Sequence, residues 1–95
     1  MFRSIPYLAF IIDHPCCAPG CLLPADHAHH FARRHGGGGV ALKPHDTFTV
    51  PLCDPHHNGA QHQHGALPGI TADETEALFM RTALKLTTEW MMRHQ

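Results

Sequence analysis

Cysteines and histidines interleave along this chain, and that pattern limits what it can fold into more than any other feature. Ten of the eleven histidines lie between His14 and His64, together with all four cysteines. A pair, Cys17-Ala18-Pro19-Gly20-Cys21, is followed by His29-His30 and then by Leu52-Cys53-Asp54-Pro55-His56-His57. Thiolates and imidazoles are the ligands zinc prefers. A chain of 95 residues makes one small domain whose apolar core is marginal by itself. It therefore needs a staple, and a metal is the staple this composition offers.

Two disulfides in an exported miniprotein are the competing staple. The apolar run over residues 7–12 is too short for a signal core or a membrane span, and no convincing cleavage site follows it. The compartment is accordingly read as reducing, the cytoplasm of a bacterial host, with the thiols as metal ligands and no membrane partner. Net charge is −1 with neutral histidines, unlike the strongly basic profile of a typical nucleic-acid binder. Bound divalent ions would add positive charge to that count.

Local patterns predict the elements. Residues 4–13 place Ile5, Leu8, Ile11 and Ile12 at helical spacing, and Pro15 ends that helix. The tight turn of residues 16–21, with Pro19 and Gly20, can aim two thiolates at one ion. Residues 25–31 read as a strand, with His27 and His29 on one face and His30 on the other. Residues 33–46 form a loop containing four consecutive glycines, Gly36 to Gly39. The β-branched and aromatic residues 47–50 predict a second strand, and the two strands suggest a hairpin. Asp54 stands where an N-cap belongs, with Pro55 opening a short helix to about Gln61. Thr71-Ala72-Asp73-Glu74 has the form of a capping box. It starts a helix to about Arg93 with the apolar stripe Phe79, Ala83, Leu86 and Trp90. Arg81, Lys85 and Arg93 lie near another face, read as solvated, with phosphate contact as the sharper alternative.

Two metal sites follow from these placements. Cys17 and Cys21 supply one pair of zinc ligands, and Cys53 with His56 the second. Together they make a Cys3His site tying the first turn to the second strand and its helix. Cys16 could replace Cys17, since adjacent cysteines do not easily both ligate. A second metal is expected on His57, His29 and one of His62 or His64. A site built mainly of histidine prefers Zn²⁺, Mn²⁺ or Ni²⁺ over Mg²⁺. His30, across the strand from His29, is placed to act as a general base on water, with Asp46 orienting it through a hydrogen bond. The competing reading for Asp46 is a turn-capping residue, and for His62 and His64 a solvated histidine-rich surface.

Taken together these residues resemble the HNH, or ββα-metal, nuclease superfamily. Cys17-Ala18-Pro19-Gly20-Cys21 resembles its first knuckle, and His29-His30-Phe31 its Asp-His-Ile motif. Leu52-Cys53-Asp54-Pro55-His56-His57 resembles its Leu-Cys-x-x-Cys-His motif, with His56 at the second cysteine. The Gly-rich loop, Lys43-Pro44-His45-Asp46 and Val50-Pro51-Leu52-Cys53 are most similar to a phage and prophage subgroup that includes recombination-enhancement nucleases. The resemblance spans about residues 7–65. Two departures stand out: the superfamily asparagine is absent, with Asp46 its nearest substitute, and the expected last ligand position is occupied by Gln61.

The expected fold is a small α+β, treble-clef-like ββα-metal domain, zinc-stabilised, with flanking N- and C-terminal helices. One domain covers residues 1–95, with its core at about 14–65 and the last helix at about 71–93. The resemblance implies a DNA endonuclease using structural Zn²⁺ and a catalytic Mg²⁺, Mn²⁺, Ni²⁺ or Zn²⁺. RNA presents the same phosphodiester. Arg33, Arg34 and Lys43 would steer the phosphate backbone, and the chain would act as a monomer or homodimer. The alternatives are a non-catalytic zinc-binding module that contacts DNA or a protein, and a histidine-rich metal buffer.

Overall fold

A computed structural model describes residues 2–31, 45–58 and 66–94. The chain is a small α+β unit. Helix α1 (Ile5–Ile12) leads to strand β1 (His27–His30), strand β2 (Thr49–Leu52), the short helix α2 (Asp54–His56) and the long helix α3 (Ala72–Arg93). Among the described residues, no helix is long and apolar enough to cross a membrane.

The first and last helices begin at side-chain caps. Ser4 caps α1 by accepting a hydrogen bond from the Tyr7 N–H, with Pro6 in the first turn. α1 ends two residues before the His14-Pro15 step. Thr71 and Glu74 form a complete capping box at the start of α3. At α2 the cap falls one residue earlier than expected. Cys53 is the extended N-cap residue and Asp54 is already helical. The Asp54 N–H is held instead by the Asp26 carboxylate at 2.9 Å. Residues 59–61, where α2 was expected to continue, lie outside the described residues.

The two strands pair antiparallel as the expected hairpin, with His27 opposite Leu52, Ala28 opposite Pro51, His29 opposite Val50 and His30 opposite Thr49. The second strand starts two residues later than its composition suggested. Residues 45–48 are spent on a turn closed by Phe48 N–H to the His45 carbonyl at 2.8 Å and by the Thr49 hydroxyl on the Asp46 carbonyl.

The register sorts side chains to two faces. Val50 and Leu52 join Phe31, Phe79 and Ala83 in one buried cluster on the α3 side. On the other side Tyr7, Phe10 and Ile11 of α1 pack with Leu86, Ala28 and Trp90, and the Tyr7 hydroxyl meets Thr87 at 2.7 Å. β2 is thus buried along its whole length. β1 is more open, which leaves its histidines available for chemistry. In the expected stripe of α3, Phe79, Ala83 and Leu86 are buried, and Trp90 is half-covered by Tyr7 and Phe10. Arg93 lies over the Phe10 ring at 5.2 Å, while Arg81 and Lys85 are exposed.

Candidate metal centre and its histidine face

The turn after α1 is built to present sulfur. Pro15 and Pro24 form a bridge at its neck, Cys16 N–H bonds the Leu23 carbonyl, and Cys21 N–H bonds the Ala18 carbonyl. Gly20 has φ +76°, where a side chain would be strained. Cys17 N–H reaches the Pro51 carbonyl at 2.9 Å, so the turn is fastened to β2.

Cys16, Cys21, Cys53 and His56 converge, with all four ligand atoms within 4.8 Å of one another. Cys21 Sγ is 3.9 Å from Cys53 Sγ, and His56 Nδ1 is 3.5 Å from Cys16 Sγ and 3.1 Å from Cys53 Sγ. A tetrahedron around zinc has edges of about 3.8 Å between thiolates and about 3.6 Å from thiolate to imidazole nitrogen. Two of the three distances match, and the third opens by about 0.5 Å to fit. All four cysteines are free thiols. The cluster can therefore hold a structural metal, and its soft donors suit zinc.

The structure corrects one ligand: Cys16 joins the cluster and Cys17 does not. Successive side chains of an extended segment point to opposite sides. Cys17 turns toward α3, where its thiol meets Thr82 and burial pushes its pKa up to about 12. Burial also raises Cys16, to about 11, but the backbone N–H groups of Cys53 and Ala18 aim at its sulfur and oppose that rise. The Leu23 N–H holds the half-buried Cys21 thiol below its ordinary range. Such N–H donors stabilise a thiolate once a cation is present.

The next residue, His57, leaves this cluster. It has helical backbone angles of φ −70° and ψ −48°, and it projects toward β1. Its ring lies 5.1 Å from that of His29, nearly perpendicular, and His29 in turn packs edge-on to Phe79. The expected pair of His29 and His57 is thus brought together. His62 and His64, and the basic residues Arg33, Arg34 and Lys43, lie outside the described residues. His27 was not among the expected site residues. It stacks on His57 at 4.1 Å, and its Nε2 is 2.8 Å from Asp54 Oδ1. Asn58 Nδ2 donates to the same oxygen at 2.7 Å. Alternation had placed His27 on this face, but nothing local announced that α2 would cover it.

His30 faces the other way, as alternation requires. Its Nε2 is 2.8 Å from Asp46 Oδ1. Asp46 is buried, only 3% exposed. Burial disfavours its charge, yet hydrogen bonds from His30, the Ser4 N–H and Arg3 outweigh that cost and hold its pKa below the usual carboxylate range. Arg3 Nη1 is 3.1 Å from Oδ1, and the Ser4 N–H is 2.7 Å from Oδ2. An ionised carboxylate only accepts, so His30 Nε2 carries the hydrogen and a neutral ring keeps its lone pair on Nδ1. Arg3 and Ser4 were invisible to sequence reasoning, because they meet Asp46 from more than forty positions away.

Comparison with known proteins finds limited kin. Over 52 residues the chain is 44% identical to "Uncharacterized protein YdfU" of Escherichia coli (strain K12), a match covering 55% of this chain and 14% of that protein. The chain therefore spans only a small part of the length of that relative. No solved structure matches. The family model described as "Protein of unknown function (DUF968)" matches residues 1–68, which include both strands, all four cysteines and the histidine face. That match takes in well over half of the 95 residues, and the chain belongs to this family.

Proposed function

We propose that the chain is an HNH-type, metal-dependent endonuclease that hydrolyses phosphodiester bonds in DNA, built on a treble-clef-like ββα-metal scaffold. The observation that carries this reading is the pair His30–Asp46, 2.8 Å apart with the carboxylate buried. His30 sits on the same strand as His29, which packs against His57. Hydrolysis of a phosphodiester needs a base for water beside a cation at the phosphate.

The chain's residues divide the work. Asp46 fixes the His30 ring and its tautomer, so that Nδ1 accepts a proton from water. Arg3 and the Ser4 N–H keep Asp46 ionised, so it remains an acceptor. His29, His57 and a third ligand from His62 or His64 would hold the catalytic ion, with Zn²⁺, Mn²⁺ or Ni²⁺ better suited to imidazole than Mg²⁺. When bound, that ion supplies positive charge at the scissile phosphate and leaving oxygen. Cys16, Cys21, Cys53 and His56 hold the structural zinc, and Arg33, Arg34 and Lys43 steer the backbone.

Nicking of supercoiled plasmid with Mg²⁺, Mn²⁺, Ni²⁺ or Zn²⁺ tests this. Metal-dependent nicking that a folded His30→Ala variant loses supports the nuclease. Absence of nicking with every metal overturns it, and equal nicking by both proteins removes His30 as base. A second reading, a zinc-binding module without catalysis that contacts DNA or a protein, has one observation in its favour. Among the described residues, the Cys3His cluster is the one group that brings three or more ligand atoms together.

A further inference from the structure

Beside His30 an open groove of about 790 Å³ runs along the first turns of α1, lined by Arg3, Ser4, Ile5, Pro6, Leu8, His30 and Asp46. Its walls differ in chemistry. At one side the Arg3 guanidinium leans on Asp46 and is 39% exposed. A guanidinium has five donors in a fork that matches a phosphate. The other side is apolar. Ile5 is 83% exposed although it is a large aliphatic residue at the start of a helix. The Arg3–Asp46 ion pair and the apolar side chains give the groove a polar part and an apolar part, the mixed lining that ligand sites have.

We propose that this groove is a subsite for one nucleotide of an unpaired DNA strand next to the cleaved bond, with Arg3 taking its phosphate and Ile5, Pro6 and Leu8 its sugar and base. The cation and the apolar wall are complementary to the two halves of a nucleotide. A base can reach an apolar wall only when it has left the duplex stack, so the groove selects single-stranded or frayed DNA. No sequence preference follows, because an apolar wall meets every base face alike. The proposal rests on the nuclease reading only for the position of the cleaved bond.

Fluorescence anisotropy of a labelled single-stranded oligonucleotide and of its duplex tests it, using the full chain with one equivalent of zinc. Ile5→Ser should weaken single-strand binding about five- to tenfold and leave duplex binding unchanged. Arg3→Gln should lower the slope of log affinity against log salt by about one. Leu84→Ser, 70% exposed on α3, is the control and should change neither. Ile5 is too exposed to support the fold, so a null result for its variant overturns the subsite. Equal weakening by Leu84→Ser, or equal weakening of duplex and single strand by Ile5→Ser, overturns it as well. The two readings fail separately. Plasmid nicking with unaltered binding by the variants sinks the subsite alone, whereas selective loss of binding without any nicking sinks the nuclease alone.

Discussion

Replacing Cys16 and Cys17 one at a time by serine separates two neighbours whose surroundings make opposite demands. Cys16 is 4% exposed, lies 3.5 Å from His56 Nδ1, and receives N–H groups from Cys53 and Ala18. A structural zinc site contributes about 10–16 kcal/mol in small domains, or about 3 kcal/mol per ligand when shared among four. Cys16→Ser should therefore weaken zinc about 100-fold. Zinc binding here is folding energy, so the loss of about 3 kcal/mol lowers the melting temperature by about 12–24 °C for a domain of this size. Cys17 instead turns its thiol to Thr82. A serine hydroxyl can keep a polar contact there, and the cost should be about 1 kcal/mol, or about 4–8 °C. Zinc content by elemental mass spectrometry and thermal unfolding by circular dichroism read both effects. Retention of one zinc per chain by Cys16→Ser, with loss of zinc by Cys17→Ser, would refute the assignment.

Other perturbations bear on separate parts of the structure. His30→Ala should reduce plasmid nicking about 10²–10⁴-fold with zinc content unchanged, measured on the same preparations. Asp46→Asn should change the acid limb of stability. The folded-state pKa of Asp46 is depressed, so its contribution is fully present above about pH 4 and is lost as pH falls through the lower folded value. The variant should be less stable at neutral pH and flatter below about pH 4; parallel pH–stability curves for the two proteins would contradict this. Lowering pH should also release zinc, because Cys16 must give up a proton held with a pKa of about 11. A metal titration showing tighter binding at pH 6 than at pH 8 would contradict that sign. Thr71→Ala removes one side of the capping box and should cost about 1 kcal/mol, seen as a lower denaturant midpoint with unchanged slope.

Zinc at the Cys3His cluster would also help so short a chain hold its shape. The metal ligands come from the turn after α1, the end of β2 and the start of α2. A metal shared by Cys21 and Cys53 would close 32 positions of chain. A cross-link over that length is worth about 3.7 kcal/mol in loop-closure entropy. Apolar packing on both faces of β2 then needs to supply only the remainder.

Much of this was legible in the residues because it rests on local rules. The start of α3 followed from Thr71 and Glu74, whose side chains each reach the other's N–H. Alternation along β1 put His27 and His29 on one side and His30 on the other, and the hairpin followed from two short strands joined by a loop. The side-chain types that converge after α1 were equally clear, since interleaved thiols and imidazoles suit one ion.

What the sequence determined by itself was therefore the kind of ligand, the order of the elements and the face each side chain takes. What only the tertiary structure decided was which of two adjacent thiols joins the His56 cluster, what sits on His57, and what keeps Asp46 charged. Those outcomes depend on segments 27 to 43 positions apart: Asp54 on His27, Cys16 near His56, and Arg3 on Asp46. Spacing along a chain encodes contacts within a turn or along a strand. It does not encode which distant surfaces come together, because burial of β2 between α1 and α3 sets that, and this burial involves the whole chain at once.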